Sequence, residues 1–479
     1  MSFVSFHFLA MTLCLFLLYY VLPKKFQPYL LLLGNIYFYY RNSGQMLILL
    51  ILTSFFSYLS GNLLGGHPSN IKLKKGILVL SLICVLSPLF ILKYSSFTFQ
   101  LLGINFTHSF IVPMGISFYT LQLIGYLIDI YRNELTPEKN FFRFFLFTSF
   151  FPQILQGPIP RFGALSETLF KKHDFNAETV SYGLWKILWG VFFKFMIASK
   201  AAVFVDDIFN SQEIISGSLY LTAGILYSFQ LYADFLSCVL LAQGIALLFG
   251  IRLSENFSQP YFATSIKDFW HRWHISLSLW LRDYVYIPLG GNRKGPVRTN
   301  INLLLTFFVS GLWHGADVKY ILWGLIHGIY QIVGKYTLPL RNRLYDTLKP
   351  LHSVRAMIRT IVTFFLVMTA WIIFRANSLK SGFHALHAIF FDFCHDDLFN
   401  GALFSKGLNT VEFTLLLLMI VFLLFWDYSA EKGTGLIEIL MRQSAVKRLG
   451  VSLLLLIMIA VCGTYGYGYD ANTFIYGGF

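Results

Sequence analysis

Two short histidine-bearing blocks lie near the middle of the 479-residue chain. The first block, FWHRWHISLSLWLRDYVYIPLGGNRKG, covers residues 269–295 and contains His274. The second block, SGLWHGADVKYILWGLIHG, covers residues 310–328 and contains His314 and His327. An imidazole can take a proton from a hydroxyl group and return it near neutral pH, so both blocks are candidates for acid–base chemistry.

The first block predicts one amphipathic helix over residues 265–284. Apolar residues recur at three- and four-residue steps on one face, namely Ile266, Phe269, Trp270, Trp273, Leu277, Trp280, Leu281 and Tyr284. The same period places a polar stripe on the other face, namely Lys267, His271, His274, Ser278 and Arg282. Such a helix either lies flat at the membrane interface or turns its polar stripe towards a cavity in the protein. The serine and the two histidines favour the cavity, although His271 lies beside basic residues that indicate a water interface.

The second block predicts a helical hairpin that turns at residues 316–317. A glycine on each side of His314 leaves room for backbone or substrate to approach its ring. On the second helix, Gly324 and Gly328 form the G-x-x-x-G pair that allows close contact between membrane helices. His327 lies on a neighbouring face, where a structural hydrogen-bonding role is the preferred interpretation.

The sequence gives no good metal site. His-x-x-His in the first block has no carboxylate or cysteine cluster beside it, so zinc held by the four histidines of the two blocks is a weak hypothesis and no metal ligand is predicted. The five cysteines are scattered and indicate neither a disulfide framework nor a metal spacing. No nucleophile elbow, phosphate-binding loop or dinucleotide-binding glycine pattern occurs.

The elements that hold the histidines are predicted to lie in a membrane. Hydrophobic residues make up 56% of the chain and charged residues 13%, which is more apolar surface than a soluble protein of this length could bury. The apolar segments are 3–22, 26–40, 45–64, 76–93, 110–130, 183–205, 219–250, 300–314, 318–337, 358–375, 411–428 and 449–466. The sequence therefore predicts an all-α polytopic protein of roughly 11–13 transmembrane helices at about 20 residues each, forming a single membrane domain over residues 1–479.

The charge pattern predicts the topology. The net charge of +14 arises from 37 basic and 23 acidic residues, and the basic excess lies in short loops, where it contacts anionic lipids. We therefore predict membrane lipids and no nucleic acid as partners. Basic loops alternate with poorly basic ones such as 206–217 and 392–407, which predicts that both termini are extracytoplasmic. Residues 3–22 lack a basic n-region and a cleavage site, and they are predicted to be a retained first helix.

Residues 141–165 do not fit a single membrane span. Pro152, Pro158 and Pro160 interrupt helical hydrogen bonding. A broken backbone at membrane depth must be buried in protein or line a wet cavity. A re-entrant segment and a helix followed by an interfacial loop are equally good interpretations.

Both histidine motifs resemble the membrane-bound O-acyltransferase (MBOAT) family, and specifically its bacterial alginate and peptidoglycan O-acetyltransferases. The similar stretches are FW-x-RWHISLS-x-WLRDY-x-YIPLGGNR at residues 269–293 and GLWHG at residues 311–315. Two upstream stretches are also similar to this family, PMGISFYTLQLIGYLIDIYR at 113–132 and FFPQILQGPIPRF at 150–162. The resemblance therefore extends over most of the chain.

The resemblance implies a fold and a set of site residues. Tilted helices, with re-entrant and amphipathic interfacial helices, would surround a central funnel in the cytoplasmic membrane. His314 matches the catalytic histidine of the family, and His274 matches the second motif histidine. Further candidates for contact with substrate in the funnel are Ser278, Arg282, Trp313 and His327.

The resemblance also implies the substrates. An acyl thioester in the cytoplasm, with acetyl-CoA as the first candidate, would be the donor, and no cofactor would be bound. The acceptor would be an extracytoplasmic glycan, either exopolysaccharide or peptidoglycan, reached directly or through an extracytoplasmic transferase partner. One alternative is D-alanyl transfer to teichoic acid, and another is a transporter or channel that conducts an acyl group or small substrate without transferring it.

The C-terminal sequence FIYGGF departs from the short aromatic run that often ends bacterial members of this family. If that run acts as an acyl relay, Tyr476 would carry the group on its hydroxyl. The alternative is an aromatic anchor at the membrane interface. Gly477 and Gly478 favour the anchor.

Overall fold

The computed structural model describes residues 4–66, 70–104, 110–154, 156–348 and 351–465. Within these ranges the regular secondary structure is helical, and an isolated antiparallel bridge joins Phe257 to Trp273. The prediction of an all-α protein is confirmed.

The chain folds as two compact units. One unit comprises the described residues up to Gly190 together with Cys238–Ser254, and the other comprises Val191–Ser237 and the described residues from Glu255 onwards. The helices that begin in the first unit are α1 (Phe6–Val21), α2 (Gln27–Ser43), α3 (Leu47–Gly66), α4 (Ile71–Leu89), α5 (Ser95–Leu101), α6 (Ile116–Tyr131), α7 (Phe141–Ser149), α8 (Phe151–Ile154), α9 (Phe162–Leu169) and α10 (Ala177–Phe193).

The second unit contains both histidine blocks. The helices that begin in it are α11 (Ser199–Asn210), α12 (Gly217–Leu248), α13 (Ile266–Arg272), α14 (Ile275–Leu281), α15 (Gly295–His314), α16 (Val318–Tyr336), α17 (Leu338–Leu348), α18 (His352–Arg375), α19 (Leu379–Phe391), α20 (Thr410–Glu431), α21 (Leu436–Met441) and α22 (Ala445–Cys462). Single π-helical turns follow α10 at Lys194–Ala198 and α14 at Arg282–Tyr286.

Seven helical stretches in the described part of the chain are long and apolar enough to cross a membrane. They are Lys24–Gly66, Ile71–Leu101, Ala177–Asn210, Gly217–Leu248, Ser353–Arg375, Thr410–Glu431 and Ala445–Cys462. The predicted count of spans was higher for three reasons. The predicted segments 26–40 and 45–64 form one stretch, α1 and α6 are apolar but shorter, and α15 and α16 do not reach the same apolarity. A multi-pass helical membrane protein is nevertheless confirmed.

The segment 141–165 is broken, and the part around the break is buried. It forms α7, α8 and the start of α9, and residues 144–154 are all buried. Asn35 stabilises the break, because its Oδ1 accepts a hydrogen bond of 3.0 Å from the Phe151 N–H and its Nδ2 donates one of 3.1 Å to Ser149 Oγ. The backbone N–H of Phe151, at the break, thus finds a partner within the protein, as a broken backbone at membrane depth requires.

Helices α15 and α16 form the predicted hairpin and pack without intervening side chains. A Cβ atom on Gly324 would lie 2.2 Å from the carbonyl oxygen of Phe307, and one on Gly311 would lie 2.2 Å from that of Tyr320. Such distances are shorter than any real contact, so glycine is required at both positions. Because the two backbones touch, their packing fixes the position of His314, at the end of α15, relative to His327, in the middle of α16.

Gly324→Ala is expected to destabilise the protein by about 1–3 kcal/mol, because the new methyl group would force α15 and α16 apart. The melting temperature of the purified protein in detergent measures this effect. Gly334→Ala is the matched control in the same helix, since no atom lies within 4 Å of a Cβ there. The control should melt at or above the wild-type temperature, because alanine is the better helix former. Equal melting temperatures for the two variants would contradict the close packing.

Candidate active site

His274 lies at a break between α13 and α14. Its backbone has the left-handed conformation, with φ 45° and ψ 54°, which is uncommon for a residue other than glycine. The prediction of one continuous amphipathic helix over residues 265–284 is therefore wrong. Helical periodicity holds within each half, but the chain changes direction between Trp273 and Ile275.

The break has a tertiary cause. The backbone N–H of Ser258 donates to the carbonyl of Arg272 over 2.9 Å, and that of Ile275 donates to the carbonyl of Asn256 over 3.0 Å. The side-chain oxygen of Asn256 also accepts from the N–H and the hydroxyl of Ser276, at 3.0 and 2.7 Å. Backbone groups around His274 are thus satisfied by an upstream segment instead of by their own helix.

The predicted polar stripe does not form a single face. His271 and Arg282 are exposed, whereas His274 is 1% exposed. Ser278 donates to the carbonyl of Trp273 over 3.3 Å, and Arg282 pairs with Asp283 at 2.7 Å. Of the two histidines in the first block, only His274 enters the interior.

The interior around His274 is aromatic. Its ring centroid lies 4.8 Å from that of Phe235 and 5.9 Å from that of Trp313. Neither ring nitrogen has a hydrogen-bond partner among the described residues. His274 lies outside the seven long apolar stretches, and its burial lowers the pKa from 6.5 to about 3. The imidazole is therefore neutral at physiological pH and retains one N–H donor and one acceptor nitrogen.

His314 is the last residue of α15 and is 2% exposed. Its ring centroid lies 4.9 Å from Trp313, 4.9 Å from Trp323 and 5.6 Å from Phe374. Trp313 therefore contacts both His314 and His274. The structure thus brings the two histidines that motif resemblance assigns to catalysis into one group with the predicted funnel residue Trp313.

His327 belongs to the same group of rings. It is fully buried, and its centroid lies 5.1 Å from Trp323 and 5.1 Å from Trp270. Neither of its nitrogens has a hydrogen-bond partner in the described ranges. A purely structural hydrogen-bonding role would require such a partner. Trp323 contacts both His314 and His327. We call the group His274, Trp313, His314, Trp323 and His327 the histidine cluster.

Several residues that shape the cluster were missed by sequence reasoning. Trp323 and Phe374 read as ordinary apolar residues of membrane helices, and Asn256 lies in a loop without a motif. Their roles depend on contacts between segments distant in sequence, so no local signal was available for Asn256. Trp323 could have been noticed, since it lies four residues before His327 and therefore on the same side of α16.

Arg272 anchors the end of α13. Its guanidinium forms two hydrogen bonds with Glu431 at 2.7 and 3.1 Å and a third with Asp268 at 2.9 Å. The bonds to Glu431, with those to Asp268, raise the pKa of Arg272 above its usual range. The paired hydrogen bonds between guanidinium and carboxylate hold Arg272, which directly precedes Trp273 and His274, in one orientation.

Two expectations remain predictions, namely that no metal is bound and that Tyr476 is either a relay or an anchor. Within the described residues, no three His, Cys, Asp or Glu side chains lie close enough to hold a metal ion. His271 is exposed and His274 is enclosed, so the two do not present a common face. Tyr476 lies outside the described residues.

Known proteins are similar to this chain over most of its length. Residues 133–379 match the membrane-bound O-acyltransferase family. The "Probable alginate O-acetylase AlgI" of Pseudomonas syringae pv. tomato is 36% identical over 389 residues, covering 79% of this chain and 73% of that protein. The "Peptidoglycan O-acetyltransferase" of Helicobacter pylori is 34% identical over 389 residues, covering 74% of this chain and 72% of that protein. The "Teichoic acid D-alanyltransferase" of Bacillus subtilis is 29% identical over 311 residues, covering 61% and 76%.

The helices and the buried histidines define a multi-pass membrane acyltransferase. The chain belongs to the membrane-bound O-acyltransferase family. The resemblance drawn from the two histidine motifs is thereby confirmed.

His274→Asn should reduce acyl transfer more than His271→Ala does. Asparagine tolerates the left-handed backbone while removing the imidazole, whereas His271 is exposed and outside the cluster. Initial rates for equal amounts of folded protein measure the difference. His274→Ala is a control for backbone strain and should melt below His274→Asn, because alanine disfavours positive φ. An equal or larger loss of rate in His271→Ala would show that the cluster is not the reacting centre.

Proposed function

We propose that this enzyme is an O-acetyltransferase that moves acetyl groups from a cytoplasmic thioester to an extracytoplasmic glycan. The observation that carries the proposal is the position of His314. It is enclosed at the end of α15, beside Trp313, and the neutral His274 contacts the same indole. A water-poor site of this kind favours transfer to a bound hydroxyl over hydrolysis.

Acetyl is the acyl group that the relatives favour. The alginate and peptidoglycan O-acetyltransferases are 34–36% identical to this chain, and the D-alanyltransferase is 29% identical. The rings around His314 are large, namely Trp313, Trp323 and Phe374. Such walls accommodate a methyl group, whereas they offer no charged partner for the ammonium group of a D-alanyl ester.

The two histidines take different roles in the proposed chemistry. His314 takes the proton from the acceptor hydroxyl, whose oxygen attacks the carbonyl carbon of the thioester. The tetrahedral intermediate then collapses, the carbon–sulfur bond breaks, and the thiolate leaves with the proton that His314 returns. Because His274 stays neutral, its single N–H can orient the donor or polarise the oxyanion without adding a fixed charge.

The remaining assignments are part of the same proposal. Coenzyme A carries the acetyl group as a substrate, and no bound cofactor or metal takes part. The protein lies in the cytoplasmic membrane, with both termini on the outer side, as the alternation of basic and poorly basic loops indicates. A separate extracytoplasmic transferase receives the group and completes delivery to the polymer.

His314→Ala should lower acetyl transfer by about 10²–10⁴-fold, the usual contribution of a general base. The assay follows the release of free coenzyme A from acetyl-CoA by purified protein, with and without a glycan acceptor. Its melting temperature should stay near wild type, and His7→Ala, a change near the N-terminus outside the cluster, should leave the rate unchanged. A variant that keeps more than about a tenth of the wild-type rate would exclude His314 as the base. Preference for a D-alanyl donor would change the assigned acyl group.

Tyr476→Phe separates the two proposed roles of the C-terminal tyrosine, because it keeps the ring and removes the hydroxyl. If Tyr476 is a relay, glycan acetylation should fall sharply while release of coenzyme A at His314 continues. Phenolate leaves an ester more readily than a sugar alkoxide does, which suits it to hand the acetyl group onward. Unchanged glycan acetylation would assign the tyrosine to anchoring. Both products are quantified in the same reaction.

A further inference from the structure

Three neighbouring rings, those of Trp270, Trp323 and His327, carry four nitrogens that have no hydrogen-bond partner in the described part of the chain. These nitrogens are Nε1 of Trp270, Nε1 of Trp323 and both nitrogens of His327. Trp323 and His327 are fully buried, and Trp270 is 8% exposed. Buried indole and imidazole nitrogens are normally satisfied, so this concentration indicates a missing ligand or ordered water.

The three rings form one group. The centroid of His327 lies 5.1 Å from Trp270 and 5.1 Å from Trp323, and the two indoles lie 5.7 Å apart. Each pair meets edge to face, with interplanar angles of 89°, 74° and 68°. We call these three residues the indole–imidazole cage.

Both polar and apolar rings lie next to the cage. The ring of Trp371 lies 6.1 Å and that of Tyr330 lies 6.2 Å from His327. Phe269 stacks on His327 at 6.3 Å with an interplanar angle of 6°, and Phe307 stacks at 6.3 Å with an angle of 24°. The tight packing at Gly324 fixes α16 against α15 beside Phe307. The phenylalanine rings offer no hydrogen bond, and the Tyr330 hydroxyl pairs with Thr369 Oγ1 at 3.0 Å. Among the described residues the cage nitrogens therefore find no partner in these neighbours.

The chemistry of the four nitrogens selects a hydrogen-bond acceptor without charge. Each indole only donates, and a neutral imidazole has one donor and one acceptor nitrogen. Donors therefore outnumber acceptors three to one, and the cage itself contains no carboxylate, lysine or arginine. An ionised ligand would have no opposite charge in the cage, whereas a carbonyl oxygen accepts hydrogen bonds and its methyl group fits aromatic walls.

The cage adjoins the proposed base. The ring of Trp323 lies 4.9 Å from His314 and 5.1 Å from His327. We propose that the indole–imidazole cage binds the carbonyl oxygen of the acyl donor and stabilises the negative charge that develops there during attack. This inference rests on the proposed acyl transfer at His314 and adds the oxyanion site to it.

The first test removes nitrogens while keeping aromatic rings. In full-length purified protein, His327→Phe and Trp270→Phe should each lower kcat for acetyl-CoA by about 100–1,000-fold and raise KM by no more than about tenfold, because the lost bonds matter most in the transition state. His327→Gln restores a donor and an acceptor and should recover at least a tenth of the rate. Trp280→Phe, a buried tryptophan that contacts Tyr284 outside the cage, is the matched control and should keep wild-type kinetics.

The outcomes divide clearly. Wild-type kcat in His327→Phe or Trp270→Phe overturns the inference, and so does a loss of kcat that follows a fall in melting temperature and is not recovered by His327→Gln. A wild-type protein that transfers no acyl group removes the proposed function itself. If His314→Ala is inactive while the cage variants are fully active, the proposed function stands and only the oxyanion site is overturned.

A binding measurement tests the cage without turnover. S-Acetonyl-CoA presents a ketone that cannot be transferred, and S-propyl-CoA lacks the carbonyl. Wild-type protein should bind the ketone about tenfold more tightly, the scale of one or two hydrogen bonds, and this preference should disappear in His327→Phe and Trp270→Phe. An equal preference in wild type and variants would assign the cage to ordered water and overturn the inference. Failure of both compounds to bind wild type would remove the coenzyme A donor, and with it this site.

Discussion

The backbone pairing between residues 256–258 and 272–275 fixes the conformation on which the histidine cluster depends. It interrupts what would otherwise be a continuous helix and places His274 in the left-handed region. Asn256 contributes both a backbone carbonyl and a side-chain oxygen to this pairing. Without it, the helical period would place His274 on the same face as His271, which is exposed.

The backbone pairing between residues 256–258 and 272–275 packs against α12, which carries buried polar groups of the same unit. The ring of Tyr232 lies 5.4 Å from Phe257 and 6.0 Å from Trp273, and its hydroxyl donates to Asp427 over 2.9 Å. Elsewhere on α12, Asp234 forms a buried ion pair of 2.7 Å with Lys194. Buried charges cost solvation free energy and are weak evidence of stability, but they favour one arrangement of the helices that carry them. These contacts therefore favour one orientation of α12 beside the bridge between Phe257 and Trp273, and they add little to the free energy of unfolding.

Glycine packing between α15 and α16 provides the second constraint. Because backbones approach directly at Gly311 and Gly324, the side chains beside them cannot shift to separate His314 from Trp323. Trp313 and Trp323 then act as shared walls, the first between His274 and His314 and the second between His314 and His327. Enclosure by tryptophan explains how a polar reaction can proceed in a water-poor site, since indoles exclude water and still offer N–H donors.

The sequence by itself determined the helical class, the membrane environment, the two histidine motifs and the close packing at Gly324, because composition and short periods are local properties. It also identified the broken character of residues 141–165 through their prolines. Only the tertiary structure decided that α13 ends before His274, because Asn256 lies 18 residues upstream of that position and no local pattern reports its hydrogen bonds. The tertiary structure likewise separated His271 from His274 and joined His327 to His314 through Trp323. Helical periodicity specifies which residues share a face of one helix, whereas the meeting of two faces depends on contacts between distant segments.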